Sequence, residues 1–128
     1  MNFAYAIVYV ESVEETLAFY EKAFGLKRRF LHESGDYGEL DTGATTLAFA
    51  ERKMIAGEGL TSAERNPSAK PDFELDFTTD DVAAAVEHAI AAGAKLLQAP
   101  HAKPWGQTVA YVSDNNGFLI EICTPVVM

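Results

Sequence analysis

Apolar and polar positions along this chain change period in the same order twice. Residues 3–10, FAYAIVYV, form a run of β-branched and aromatic side chains that predicts a strand packed on both faces. Beyond Glu11 the period lengthens. Val13, Leu17, Tyr20 and Phe24 recur at helical spacing, Ser12 and Glu15 stand at capping-box separation, and Gly25 supplies the stop, so a helix is predicted over 13–24. Alternation then returns in 26–33, 37–42 and 45–51, divided by Ser34-Gly35-Asp36 and Thr42-Gly43-Ala44, which have turn chemistry.

The second pass opens at Phe73-Glu74-Leu75-Asp76-Phe77, whose strict alternation puts three apolar side chains on one face and two carboxylates on the other. Thr78 or Thr79 is the expected cap of the next helix. Val82, Val86, Ala89 and Ile90 form its apolar stripe, and Gly93 ends it. Strands are predicted near 95–98, 107–113 and 118–123, the last two joined by the hairpin signal Asp114-Asn115-Asn116-Gly117. Phe118, Ile120 and Ile122 then face the helix, and Leu119, Glu121 and Cys123 face away from it. Phe24, Phe49, Phe73, Phe77 and Phe118 are expected in the core.

Between the passes, residues 52–72 lose periodicity and carry Gly57, Gly59, Pro67 and Pro71, the mark of a connecting loop. The predicted organisation is a first module over 1–51, a loop over 52–72 and a second module over 73–128, together one compact domain. Gly25-Leu26-Lys27 answers Gly93-Ala94-Lys95, as a duplication would have it. Two half-open sheets that cannot close alone then meet around a shared concavity, the natural place for a small ligand.

A hydrophobic content of 48% with 23% charged residues is enough for a core, and a net charge of −9 repels phosphate backbones and anionic headgroups. Nucleic acid and membrane are therefore not expected partners. One cysteine, Cys123, forms no internal disulfide, and the first residues run straight into a strand, so the cytoplasm is the expected location. No phosphate loop, Cys-x-x-Cys pair or nucleophile elbow is present. Among single residues, His88 reads as a surface histidine opposite the apolar stripe, His101 as a loop residue between Pro100 and Pro104, and Cys123 as a packed thiol.

VESVEETLAFYEKAFGL in the first pass and WGQTVAYVSDNNGFLIEI in the second give a layout that resembles the vicinal-oxygen-chelate superfamily, also called the glyoxalase/bleomycin-resistance/dioxygenase group. The resemblance implies an α+β fold of two βαβββ modules, each a curved mixed sheet with one outer helix. It also implies a homodimer and a small organic molecule held in the cleft of paired modules. Metal-dependent members place one ligand on the first and last strand of each module, positions that fall here on Tyr5, Ala48, Glu74 and Glu121. Alanine has no donor and none of the three histidines falls on such a position, so the expected site lacks a complete metal set and works without a cofactor. Glu121 and Glu74 are the expected acid–base residues, and Tyr5, Ile7, Tyr9, Ala48, Asp76 and Trp105 the ligand contacts, with Phe30 nearby and Trp105 at the cleft mouth. The alternative is a metal-dependent lyase or isomerase of lactoylglutathione-lyase type, with Mg²⁺, Mn²⁺, Ni²⁺ or Zn²⁺ on Glu74 and Glu121.

Overall fold

The computed structural model describes residues 1–66 and 68–127; Pro67, one of the predicted chain breakers, lies outside them. The chain divides into two compact units, Met1–Pro67 and Ser68–Met128. The first runs β1 (Tyr5–Val10), α1 (Val13–Phe24), β2 (Lys27–Leu31), β3 (Tyr37–Asp41), β4 (Thr46–Glu51) and the short α2 (Arg52–Ala56). The second runs β5 (Leu75–Thr78), α3 (Val82–Ala91), β6 (Lys95–Ala102), β7 (Thr108–Ser113) and β8 (Leu119–Cys123). Each unit holds one four-stranded mixed sheet, ordered β1-β4-β3-β2 and β5-β8-β7-β6, in which the first and last strands are parallel neighbours and the other pairs antiparallel. This is the α+β pair of βαβββ modules that the periodicity and the resemblance imply. No helix among the described residues is long and apolar enough to cross a membrane.

In both units the helix covers one sheet face and leaves the other open. Gly38 on β3 lies beneath Leu17 and Val13 of α1, and Phe49 on β4 packs its ring 4.9 Å from that of Tyr20, so Val8, Val10, Gly38, Leu40 and Phe49 make the helix side. Register then sets Ile7, Ala48, Glu39 and Phe30 side by side on the open side. In the second unit Leu75, Phe77, Ile120 and Ile122 take the helix side, while Asp76, Glu121, Tyr111 and Gln98 line up on the open one.

Helix α1 has the predicted bounds, and its Ser12 hydroxyl accepts from the Glu15 amide at 3.2 Å while Gly25 closes it at φ 68°. Ser12→Ala is expected to cost about 1 kcal/mol, read as a fall of roughly 4 °C in melting temperature.

Several expectations need correction. The cap of α3 is Asp81, whose carboxylate accepts from the Ala84 amide at 3.0 Å; Thr78 is still in β5, and the Thr79 amide is bound to the Cys123 carbonyl. Residues 52–56 are helical rather than loop. Strand β6 runs on to Ala102, so His101 belongs to a strand, and Pro100 is accommodated because β6 is an edge. Phe73, expected in the core, is 51% exposed, Ile90 at the end of the α3 stripe is 41% exposed, and β1 buries its helix side but leaves Tyr5 and Ile7 accessible.

Candidate functional site

The open face of the second sheet gathers three carboxylates. Asp76 on β5 pairs in register with Glu121 on β8, and Glu74 stands two residues before Asp76 on the same side, as strand alternation requires. One oxygen from each of Glu74, Asp76 and Glu121 lies within 4.8 Å of the others. Tyr111, beside Glu121 on β7, donates its hydroxyl to Glu121 Oε1 at 2.7 Å. Next to this group a depression of about 370 Å³ is lined by Glu74, Leu97, Gln98, Tyr111 and Leu119.

Crowding like charges sorts the protons. Partial burial of its carboxyl group, hydrogen bonds with Glu74 and Glu121, and their negative charges push Asp76 up to about 8. Burial also acts to raise Glu121, but hydrogen bonds from Tyr111, Cys123 and Asp76, together with the Lys103 charge, outweigh it and hold Glu121 below the usual carboxylate range. At neutral pH, therefore, a proton-bearing Asp76 stands beside an ionised Glu121. Cys123, buried and next to this negative charge, is pushed up to about 11 and stays a thiol, as its packed position suggested.

The donor set suits a hard cation. Three carboxylate oxygens with no imidazole or thiolate fit Mg²⁺ or Mn²⁺ better than Zn²⁺ or Ni²⁺. Asp76, expected only as a ligand contact, brings the number of carboxylates to three where the strand-end positions supplied two.

The first unit's open face has different chemistry at equivalent positions. Ile7 and Ala48 pair in β1 and β4 as Asp76 and Glu121 do in β5 and β8, which puts Tyr5 where Glu74 stands. On that face Glu39 of β3 stands opposite Ala48. Tyr37 donates to Glu39 Oε2 at 2.7 Å, and Arg29 approaches Oε1 at 3.6 Å. Burial first, then the bond to Glu39, push the Tyr37 phenol up to about 12. Around them Tyr5, Ile7 and Phe30 are 52%, 45% and 43% exposed, while Tyr9 is half-buried and Ala48 buried.

Glu39, Tyr37, Arg29 and Tyr111 were not singled out in the sequence. Alternation in Tyr37-Gly38-Glu39 carried the signal for two of them. Arg29 and Phe30 depend on a register shift: Arg28 reaches back to Glu21 and Glu14 of α1, and the bulge that follows brings both Arg29 and Phe30 to the open face. Leu97 and Gln98 sit at the matching shift in β6. Trp105 is 63% exposed in the β6–β7 connection, donating its indole N–H to Gln107 at 2.7 Å, with the Lys103 ammonium 5.8 Å from its ring. It does not line the depression beside Glu74.

Among solved structures, a glyoxalase/bleomycin resistance protein/dioxygenase family enzyme from Burkholderia phytofirmans PsJN is 25% identical, with a TM-score of 0.84 over 99% of this chain and 100% of that one. A protein of unknown function from Agrobacterium tumefaciens str. C58 is 28% identical, with a TM-score of 0.78 over 98% and 94%. A glyoxalase-related enzyme from Fulvimarina pelagi shares the fold at 22% identity, with a TM-score of 0.82 over 97% and 88%. No curated protein matches the chain. The family described as glyoxalase-like domain matches residues 3–127, nearly the whole sequence, and the chain accordingly belongs to that family, within the vicinal-oxygen-chelate superfamily.

Proposed function

We propose that the protein binds a small organic molecule on the open face of the second unit, taking a positively charged group against Glu74, Asp76 and Glu121. The observation that carries this reading is the convergence of three carboxylate oxygens within 4.8 Å. Such a cluster holds a proton on Asp76 for want of a better cation, and a ligand cation replaces that proton. Leu97 and Leu119 offer apolar surface for the body of the ligand, and Gln98 a neutral hydrogen-bonding group. The same pair gives the site a means of proton transfer: Asp76 as acid and Glu121 as ionised base, their affinities for protons pushed apart by their surroundings. A metal-independent lyase or isomerase step and simple sequestration both start from this bound state.

Isothermal titration with N-methylquinolinium, a flat and permanently charged cation, tests the reading. Saturable binding without added metal is expected, with Glu121→Gln weakening it about tenfold. Absence of saturation, or equal affinity in the variant, defeats it.

The oxygen cluster also favours a second reading, in which Glu74, Asp76 and Glu121 hold Mg²⁺ or Mn²⁺. Such an ion supplies Lewis acidity toward a ligand oxygen. Protein stripped by a chelator and titrated with Mn²⁺ should then bind one ion per chain, and Glu121→Gln should weaken that binding. A featureless titration removes this reading and leaves the first standing.

A further inference from the structure

The turn between β7 and β8 carries chemistry that the carboxylate cluster does not use. Asp114-Asn115-Asn116-Gly117 makes this connection, and Gly117 takes the left-handed conformation there at φ 81°. Asn116 therefore stands before a residue with no side chain to shield its nitrogen. The other asparagines do not: Asn2 precedes Phe3, Asn66 precedes Pro67, which has no N–H, and Asn115 precedes Asn116. A side-chain amide so placed is open to loss of ammonia. The Gly117 nitrogen gives up its proton and attacks Asn116 Cγ, the new N–Cγ bond closes a succinimide as the Cγ–Nδ2 bond breaks, and Nδ2 leaves with a proton as ammonia. Water then opens the ring at either carbonyl, leaving aspartate or isoaspartate.

In the folded chain this turn is held by Asp114, which is 5% exposed. Its Oδ1 accepts from the Asn116 and Phe118 amides, each at 2.8 Å, and its carbonyl accepts from the Gly117 amide at 3.0 Å. The attacking nitrogen is thereby tied up. Its proton is engaged by the Asp114 carbonyl, and the amides on either side of it are fixed by one carboxylate, so the Asn116–Gly117 peptide has little freedom to swing toward Cγ. From the Asn116-Gly117 step and the Asp114 clamp around it, we infer that Asn116 is a site of spontaneous deamidation whose rate Asp114 restrains. Reaction proceeds through openings of the turn, and its rate is the fraction open times the rate of the free segment. The iso product adds a main-chain carbon between Asn116 and Gly117, inside the turn that sets β7 against β8 and so aligns Tyr111 with Glu121.

The assignment is independent of what binds the second unit. Its test follows Asn116 by peptide mapping of the full chain held at mildly alkaline pH, folded in one sample and unfolded by guanidinium chloride in another. The unfolded chain is expected to convert at Asn116 ahead of Asn2, Asn66 and Asn115, and the folded chain about tenfold more slowly or slower still, the factor reporting the cost of opening. Asp114→Ala should speed the folded protein by about tenfold, whereas Asp114→Asn, which keeps an acceptor oxygen, should stay near wild type. Asp114→Ser, with a shorter reach, should lie between them, and it carries the test if the alanine variant does not fold. No conversion at Asn116 in the unfolded chain shows that the step is unreactive. Equal rates in folded and unfolded wild type, or folded alanine and serine variants that convert no faster than wild type, show that the clamp protects nothing. Any of these results overturns the inference.

Discussion

Gly38→Val is expected to destabilise the first unit by about 3 kcal/mol, lowering its melting temperature by roughly 10 °C. The cause is local. A β-carbon at this position meets Leu17 Cδ1 at 2.6 Å, Val13 Cγ1 at 3.1 Å and the Phe30 carbonyl at 3.3 Å. Leu17 and Val13 are at most 1% exposed, and the Phe30 carbonyl belongs to β2, so neither helix nor strand has room to yield. Valine is favoured in strands, but that preference spans only about 1 kcal/mol and does not offset the overlap. Combining Gly38→Val with Leu17→Ala separates overlap from other causes: if Leu17 is the obstacle, the double variant loses less than the sum of the two single losses. Thermal melts of the four proteins decide it, and strict additivity refutes the close-packing account.

Gly38 also shows why the fold was legible and parts of the site were not. The ends of α1 were plain because Ser12, the helical spacing and Gly25 are independent local signals that agree. The start of α3 was misread because Thr78, Thr79 and Asp80 precede Asp81 and all four are good caps. Pairing with β8 removes the two threonines, since it keeps Thr78 and the Thr79 amide in the sheet. Such pairing is not local, and it leaves no mark in the spacing. The bulges at Arg28/Phe30 and Leu96/Gln98 have the same character: a strict two-residue period sends alternate side chains to opposite faces, whereas the bulge delivers consecutive ones, Arg29 with Phe30 and Leu97 with Gln98, to one. The acidic face was accessible because Glu74, Asp76 and Glu121 all follow simple alternation. Which of them bears the proton was not, since that depends on Tyr111 across the β7–β8 ladder and on how closely the carboxylates approach.

The proposed cation site carries a pH dependence of definite sign. Asp76 is raised from 3.8 to about 8 in the folded chain, so below pH 8 the unliganded site holds a proton that a bound cation must expel. Affinity for N-methylquinolinium should therefore rise with pH, approaching tenfold per unit below pH 8 and levelling above it. The probe's charge is permanent, so its own titration does not contribute. Asp76→Asn carries no such proton and should flatten the profile, while Glu121→Gln weakens binding at every pH. Stability of the unliganded protein runs the other way. Between about pH 4 and 8 the folded state holds a proton that the unfolded state lacks, so the stability contribution of Asp76 is full at the low end and is lost as pH approaches 8. Asp76 is solvent-accessible, so screening makes this slope shallower than the one in affinity. Glu121, held low, contributes the opposite slope, but only as pH falls toward its own range; comparison of wild type with Asp76→Asn from about pH 5 to 8 isolates Asp76. Affinity that falls as pH rises, or a slope that survives in Asp76→Asn, would mean that the proton lies elsewhere and that the three carboxylates do not act together on the ligand.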